Sequence, residues 1–236
     1  MRKRGKRYLL IREKIGRRKE YTPLEALKLV KETSNCKFEE SVEVAIALNV
    51  DSKKRGERVR GTVILPYGLG RKVRVVVFAA GEKAEEARKR GAEYVGGEEI
   101  AKRIEEGWLD FDAVVSTPQM MRMVAKLGRI LGPRGLMPSP KVGTVTDDPA
   151  LVVEQLKKGK IDYRSDAGGV VHASIGRVSF SEKFLLENFK TLLKSLIENK
   201  PSTVKGSYIR GVHFSSTMGP GIKVNLRDQD LENFLV

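Results

Sequence analysis

The stretch that decides how this chain is organised is residues 66–79, PYGLGRKVRVVVFA. It opens with a run rich in proline and glycine, which predicts a turn. It closes with a nearly continuous apolar run, which is typical of a strand in a parallel sheet covered on both faces. This change of character predicts that a second domain begins at residue 68, after a first part comprising residues 1–67.

Strands and helices alternate along the residues that follow. Hydrophobic patterns and capping residues predict a helix at 82–90, a strand at 93–95, a helix at 98–106, a strand at 113–116, a helix capped by Thr117 and a helix from Asp148 to near residue 158. This rhythm predicts a Rossmann-like, three-layer α/β domain over residues 68–159.

The two ends of the chain have a different pattern. They predict a helix from Thr22, strands at 42–48 and 59–65, and then strands at 161–164 and 170–175, a helix at 182–198 and strands at 204–214 and 222–226. One helix and two strands would leave an uncovered sheet edge in the first part alone. We therefore predict an α/β protein of two domains: a discontinuous α+β domain built from both chain ends, residues 1–67 and 160–236, and the inserted domain.

The charge of the chain favours a polyanionic partner. The 236 residues carry 45 Lys and Arg against 30 Asp and Glu, a formal net charge of +15. Ten of these basic residues and a single acid lie in residues 1–19. Such a basic arm fits either phosphate contacts or simple solubility. Nucleic acid is the first expectation and an anionic membrane surface the second.

A catalytic site is not evident in the sequence. Gly68 and Gly70 precede their strand, whereas a dinucleotide-binding fingerprint follows one, and no GxxxxGK[ST] motif occurs. The acidic pairs at residues 110/112 and 147/148 are explained by turns and helix caps. We predict no catalytic residue and no cofactor.

Metal and membrane sites are not expected either. Cys36 is the single cysteine, and His172 and His213 are interpreted as ordinary sheet histidines, so neither a disulfide nor a zinc site is predicted. No run approaches the roughly 20 apolar residues of a membrane span, and the apolar run near the N-terminus is too short for a signal peptide. We expect a cytosolic protein.

Two loops are candidates for contacts with a partner. Residues 131–143, LGPRGLMPSPKVG, predict a stiff, helix-free segment that is either an interaction loop or a packed structural lid. In the turn at residues 217–219, small polar side chains beside Gly219 let a backbone approach RNA closely. Met218 can lie against a sugar or base without needing a hydrogen bond.

Several longer motifs carry a resemblance to a known family. They are residues 37–38 (KF), 60–63 (RGTV), 65–70 (LPYGLG), 91–97 (GAEYVGG), 110–114 (DFDAV), 127–138 (LGRILGPRGLMP) and 217–220 (TMGP). Together they resemble the bacterial form of the first-numbered family of large-subunit ribosomal proteins, which belongs to the mobile stalk beside the tRNA exit site. The resemblance covers essentially the whole chain.

This resemblance implies where RNA is bound. Lys37, Phe38, Thr217, Met218 and Gly219 match the RNA-contacting cluster of the family. To these we add two residues on the strand after the second hinge, Arg164 and Asp166. Gly211 stands where some relatives carry a serine that contributes to the contact, which implies one hydrogen bond fewer in this chain.

The resemblance also implies partners and motion. The discontinuous domain would bind the stalk region of large-subunit ribosomal RNA and a mimic of it in its own messenger RNA, so that translation is repressed. The inserted domain would lie near the exit-site tRNA and swing about hinges at Tyr67, Gly68, Gly159 and Lys160. The protein is expected in the cytoplasm, in the ribosome, and as a monomer when free.

Two other classes remain open at this point. One is a nucleotide-binding or RNA-modifying enzyme that uses the Rossmann-like domain, because fold alone does not exclude it. A shift of the melting temperature by ATP, NAD or S-adenosylmethionine would reveal it. The other is a peripheral membrane protein that uses the basic arm, although an apolar face beside these charges is lacking; liposome flotation would test it.

Overall fold

The computed structural model describes residues 5–16, 19–51, 58–204, 206–226 and 234. The chain divides into two compact units. The first unit comprises Met1–Gly70 and Ile161–Val236, and the second unit comprises Arg71–Lys160. Each unit is described by itself below.

The elements follow one another in mixed order along the chain. They are α1 (Lys6–Ile15), α2 (Pro23–Thr33), β1 (Ser41–Leu48), β2 (Arg60–Ile64), β3 (Val75–Phe78), α3 (Glu82–Lys89), β4 (Tyr94–Gly96), α4 (Glu98–Glu105), β5 (Ala113–Ser116), α5 (Met121–Lys126), α6 (Gly128–Leu131), α7 (Pro149–Lys158), β6 (Lys160–Arg164), β7 (Val170–Arg177), α8 (Glu182–Glu198), β8 (Ile209–Ser216) and β9 (Ile222–Val224). The predicted mixed α/β fold class is confirmed.

The first unit contains a four-stranded antiparallel sheet in the order β7-β1-β8-β9. Buried and exposed positions alternate along β1, as expected of a strand with one face on a core. Val44 and Ile46 face that core, where they join Leu27 of α2 and Phe189 of α8. The opposite face of the sheet is therefore the one that meets solvent.

Helix caps explain why the helices of the first unit begin where they do. Thr22 and Glu25 form a reciprocal capping box, and Pro23 occupies the first helical position of α2. Ser181 accepts a hydrogen bond from the backbone N–H of Phe184 at the start of α8. The predicted bounds of α8, residues 182–198, agree with the structure.

The second unit contains a three-stranded parallel sheet in the order β4-β3-β5. Side chains of β3 alternate between two separate cores. Val76 and Phe78 pack with residues of α4, α5 and α6, whereas Val75 and Val77 pack with residues of α3 and α7. All four of these side chains are fully buried, as the unbroken apolar run predicted.

Three local features differ from what the sequence predicts. The basic arm contains a helix that was not predicted, α1, in which Ile11 and Ile15 are spaced one helical turn apart and both join the core of the first unit. Thr117 holds the N-cap position, but the element that follows directly is a 3-10 turn, Pro118–Met120, and the Thr117 hydroxyl makes no capping bond because it donates to the carbonyl of Phe78 at 3.4 Å. The 131–143 segment is not free of helical structure, because Pro140–Val142 form a 3-10 turn.

Among the helices described, none has the length and apolar character needed to cross a membrane.

Candidate nucleic-acid interface

Two chain segments distant in sequence meet where β1 begins and β8 ends. The backbone N–H of Thr217 donates to the carbonyl of Ser41 at 3.2 Å, and the N–H of Ser41 donates to Thr217 Oγ1 at 3.0 Å. This brings together the five residues matched to the family's RNA contacts, which we call the turn cluster: Lys37, Phe38, Thr217, Met218 and Gly219. Because Thr217 Oγ1 accepts from Ser41, its proton remains available to an acceptor outside.

A buried carboxylate holds the backbone of the turn cluster. Glu40 is only 1% exposed. One of its oxygens accepts from the N–H of Met218 at 2.9 Å, and the other accepts from the hydroxyl of Ser34 at 2.7 Å and the N–H of Cys36 at 3.3 Å. Burial raises the pKa of Glu40, but the hydrogen bonds, led by those from Ser34 and Met218, outweigh it and lower the pKa to about 2. The carboxylate is therefore ionised at neutral pH.

The side chains of the turn cluster point outward from this fixed backbone. Phe38 is 54% exposed and Met218 is 55% exposed, which is unusual for large apolar side chains. Arg7 of α1 donates to the carbonyl of Met218 at 3.0 Å. A Cβ on Gly219 would collide with the hydroxyl of Ser216. The cluster thus presents an ordered backbone, one aromatic ring and one thioether.

The structure places Arg164 and Asp166 away from the turn cluster. Ser41 of β1 pairs with Arg177 of β7, whereas Ala47 pairs with Val170, close to the turn that follows β6. Six residues of extended strand separate the two ends, which corresponds to about 20 Å. The seven predicted RNA-binding residues therefore form two groups at opposite ends of one sheet.

The second group lines a cavity of about 480 Å³, which we call the arginine pocket. Its lining includes Arg58, Arg60, Arg164, Asp166 and His172. Asp166 shapes the turn itself, because its Oδ1 accepts from the N–H groups of Gly168 and Val170, each at 2.8 Å. The bond from Val170 is the main cause that lowers the pKa of Asp166. The arginines are thus the groups suited to phosphate.

An open sheet face connects the turn cluster and the arginine pocket. One cross-strand row on this face runs through His172, Ala45, His213 and Lys223. Burial, followed by the charge of Lys223, lowers the pKa of His213, which is neutral at physiological pH. Gly211 lies on the same face opposite Ala47, so it belongs to the end near the arginine pocket. The small residues of this face are Ala45, Ala47 and Gly211, which leave the backbone of β1 and β8 accessible between the larger side chains.

The predicted hinge residues are held in different ways. Asn188 of α8 is fully buried; its Oδ1 accepts from the N–H of Tyr67 at 3.1 Å, and its Nδ2 donates to the carbonyl of Gly68 at 3.0 Å. Tyr67 and Gly68 are therefore fixed to the first unit. Gly159 ends α7 in a left-handed conformation, and Lys160 begins β6. The units divide at Gly70 and Lys160, slightly beyond the predicted positions.

Three further residues of the candidate interface, Glu40, Arg7 and Arg58, were not predicted from the sequence. Glu40 could have been found, because the alternation of Val42 and Val44 extended backwards puts residue 40 on the buried face. A carboxylate at such a position needs hydrogen-bond donors from the neighbouring chain. Arg7 and Arg58 gave no comparable signal, since their places depend on tertiary structure.

A sheet face with exposed aromatic, thioether and basic side chains, held on an ordered backbone, is typical of proteins that bind folded RNA. Among the described residues, no group of three or more His, Cys, Asp and Glu is placed to hold a metal ion. Residues 30–220 match the model of the family described as "Ribosomal protein L1p/L10e family".

The chain belongs to this family, so the resemblance seen in the sequence is confirmed. It is a structural protein of the large ribosomal subunit that binds ribosomal RNA, and it is located in the ribosome, in the cytoplasm. It is not an enzyme, which rules out the catalytic alternative.

Proposed function

We propose that the first unit is the RNA-binding domain and that its turn cluster recognises the stalk region of large-subunit ribosomal RNA by shape. The observation that carries this proposal is the buried carboxylate of Glu40, which fixes the backbone of Met218 before any partner arrives. A preformed surface loses little conformational freedom on binding, so it can select one RNA fold over another.

Each part of the turn cluster has a distinct role in this proposal. Phe38 and Met218 lie against bases or sugars, and the hydroxyl proton of Thr217 is donated to the RNA. Gly219 lets the RNA approach the backbone closely, because it carries no side chain. Lys37 adds a phosphate contact at the edge of the cluster.

The arginine pocket has a complementary role in the proposal. Arg60 and Arg164 contact phosphates at the far end of the open sheet face, about 20 Å from the turn cluster. Asp166 keeps the turn beside them in shape rather than touching RNA. The two groups together would contact an RNA surface that spans the length of the sheet.

The proposal assigns movement to the second unit. It is the inserted Rossmann-like domain, and it swings relative to the RNA-binding domain about the two connections between the units. Because Asn188 fixes Tyr67 and Gly68, we place the first pivot at Gly70 and Arg71 and the second at Lys160 and Ile161. This motion supports stalk movement and the release of deacylated tRNA from the exit site.

The same RNA-binding surface would also regulate synthesis of the protein. A messenger RNA segment that mimics the ribosomal site would occupy the turn cluster, so ribosomal RNA and messenger would compete. Free protein in excess of ribosomal RNA would then repress its own translation. Competition predicts that any turn-cluster variant loses affinity for both RNAs in parallel.

The first test is a titration against a fragment of the stalk region, with a scrambled duplex of equal length as control, at two salt concentrations. We expect tight binding to the stalk fragment that survives the higher salt, whereas binding to the scrambled duplex is lost. Equal and salt-sensitive binding to both RNAs would refute specific recognition.

Variants of the turn cluster refine this test. Thr217→Ala and Met218→Asp each weaken binding to the stalk fragment by roughly 1 to 3 kcal/mol, with little change in the salt dependence. Arg210→Gln, a change of an exposed residue elsewhere on β8, is the control for unfolding of that strand. A steep change in salt dependence for Thr217→Ala would contradict recognition by shape.

A further inference from the structure

The second unit has a strongly uneven charge. Residues 71–160 carry 17 Lys and Arg against 13 Asp and Glu, so the unit as a whole is close to neutral. Residues 113–146, however, carry five basic residues and no acid: Arg122, Lys126, Arg129, Arg134 and Lys141. The remainder of the unit carries 12 basic and 13 acidic residues. One segment therefore supplies the whole positive excess.

Helical spacing gathers three of these charges on one side. Arg122, Lys126 and Arg129 are separated by four and three residues along α5 and α6, and all three are exposed. Val124, Leu127 and Leu131 of the same segment are buried in the core beside β3. Because the apolar side chains face inward, the three charges face solvent as a stripe about 10 Å long.

The proline-rich loop extends this stripe. The N–H of Leu136 donates to the carbonyl of Leu131 at 3.0 Å, and Gly135 adopts a left-handed conformation with φ of +72°, so the chain turns back sharply. Leu136 and Met137 then pack on the core, while Arg134 at the tip is exposed. The 131–143 segment is thus packed on one side and basic on the other.

The stripe is unpaired, unlike other charges of the unit. Arg74, Arg90 and Lys157 each form an ion pair with an acid of the second unit. The side chains of Arg122, Lys126, Arg129 and Arg134 form no ion pair or hydrogen bond with any residue that the structure describes. Like charges one helical turn apart destabilise a helix by a few tenths of a kcal/mol. An external polyanion would relieve this repulsion.

The chemistry of the surface favours RNA over a protein partner. Protein interfaces are centred on exposed aromatic and large apolar side chains. None of the exposed large hydrophobic residues of the described chain lies within residues 113–146. A surface with charge and without an apolar centre fits a phosphate backbone, which requires only positive charge and reach.

We infer that the second unit carries a contact surface of its own for the phosphate backbone of folded RNA, formed by Arg122, Lys126, Arg129 and Arg134. It is separate from the open sheet face of the first unit, which the proposed function already assigns to ribosomal RNA. Recognition here is by charge and not by base identity, so it suits a contact that is made and broken as the unit moves.

The test uses the full chain already saturated with the stalk fragment, so that the first unit is occupied. A fluorescent RNA duplex unrelated to the stalk is then added as a second ligand over a range of salt concentrations. The triple variant R122Q/K126Q/R129Q is compared with K89Q/K102Q/R103Q, which removes the same charge from exposed positions of α3 and α4. Circular dichroism melting of both variants checks that the unit is folded.

We expect the stripe variant to bind the second duplex about tenfold or more weakly, with a salt slope smaller by about 2 to 3, whereas the control changes less than twofold. Equal losses in both variants, or no loss in either, would overturn the inference. Displacement of the duplex by polyglutamate at a much lower concentration than by unlabelled duplex of equal charge would also overturn it, in favour of an acidic protein partner. Failure of the stalk fragment to bind in the first step would count against the proposed function alone.

Discussion

The turn cluster and the arginine pocket lie at opposite ends of one sheet and handle charge in opposite ways. At the turn cluster, the charge of Glu40 is buried and satisfied by hydrogen bonds, so it orders a backbone. At the arginine pocket, Arg60 and Arg164 are exposed and line a cavity. A buried charge fixes shape, whereas an exposed charge attracts from a distance. One sheet can therefore carry selectivity for an RNA shape at one end and electrostatic attraction of phosphates at the other.

The largest expected effect comes from removing the buried charge. Glu40→Gln keeps the size of the side chain but loses the ionised acceptor of three hydrogen bonds. Because the pKa is lowered to about 2, the native carboxylate contributes stability that is complete above the usual carboxyl pKa and lost as the pH falls towards 2. We expect the free energy of unfolding at pH 7 to drop by about 2 to 3 kcal/mol.

Urea denaturation between pH 2 and pH 7 measures this effect. The difference between wild type and Glu40→Gln is expected to shrink steadily below about pH 4.5 and to vanish near pH 2. Glu43→Gln, an exposed change on the same strand, is the matched control and is expected to be nearly neutral. A pH-independent difference would show that Glu40 acts by packing and not by charge.

The next largest effect concerns the shape of the turn cluster. Gly219→Ala places a Cβ against the hydroxyl of Ser216, so either the turn or Ser216 shifts. We expect affinity for the stalk fragment to fall about tenfold, which is about 1.4 kcal/mol. Gly221→Ala, where a Cβ meets open space, is the control. Equal affinity of the two variants would mean that the turn is not held rigidly.

A smaller effect is expected at the other end of the sheet. Arg60→Gln and Arg164→Gln each reduce the salt slope of RNA binding by about 1 and weaken binding to the stalk fragment and the scrambled duplex to the same degree. Filter binding over a salt series measures both quantities. If either variant lost affinity for the stalk fragment alone, the arginine pocket would be part of the selective surface.

The smallest effect comes from the basic arm, where attraction by charge and ordering of the turn cluster involve the same residues. From the sequence we expect that deleting residues 1–7 flattens the salt slope; residues 1–4 lie outside those described. Arg7, however, also donates to the carbonyl of Met218, so this deletion would disturb the turn cluster as well. Arg7→Gln is expected to weaken stalk binding by about 0.5 to 1 kcal/mol more than Arg12→Gln, a change of another exposed arginine on α1. Equal affinities of these two variants for the stalk fragment would show that the arm acts only through its charge.

Elements bounded by local signals could be predicted from the sequence. Both ends of α8 were found because an apolar stripe runs along its whole length, and the structure adds a cap by Ser181 at its start. Strand β1 was found because large apolar residues alternate with glutamate and alanine along it, and in the structure the large ones are buried. Helix α1 was missed because its apolar residues include the exposed Leu9 and Leu10 and are mixed with four basic residues, so that Ile11 and Ile15 did not stand out as a core face.

The arrangement of the site could be predicted only in part. The family motifs gave the residues of the turn cluster, but their sequence positions could not show that Arg164 and Asp166 lie at the far end of the sheet. That separation depends on the register of β1 against β7, which tertiary contacts decide. For the same reason, the contact of Arg7 with Met218 had no local sequence signal.

The topology of the first unit has a consequence for its synthesis. β1 is complete at Leu48, yet its two neighbours in the sheet are β7, which ends at Arg177, and β8, which ends at Ser216. At about 5 to 20 residues per second, roughly 10 to 30 seconds pass before both partners have been made. The second unit is contiguous and can fold on the growing chain in that interval. The unit that comes first along the sequence is therefore the last to be completed, and the edge of β1 that pairs with β8 stays unpaired until Ser216 has been made.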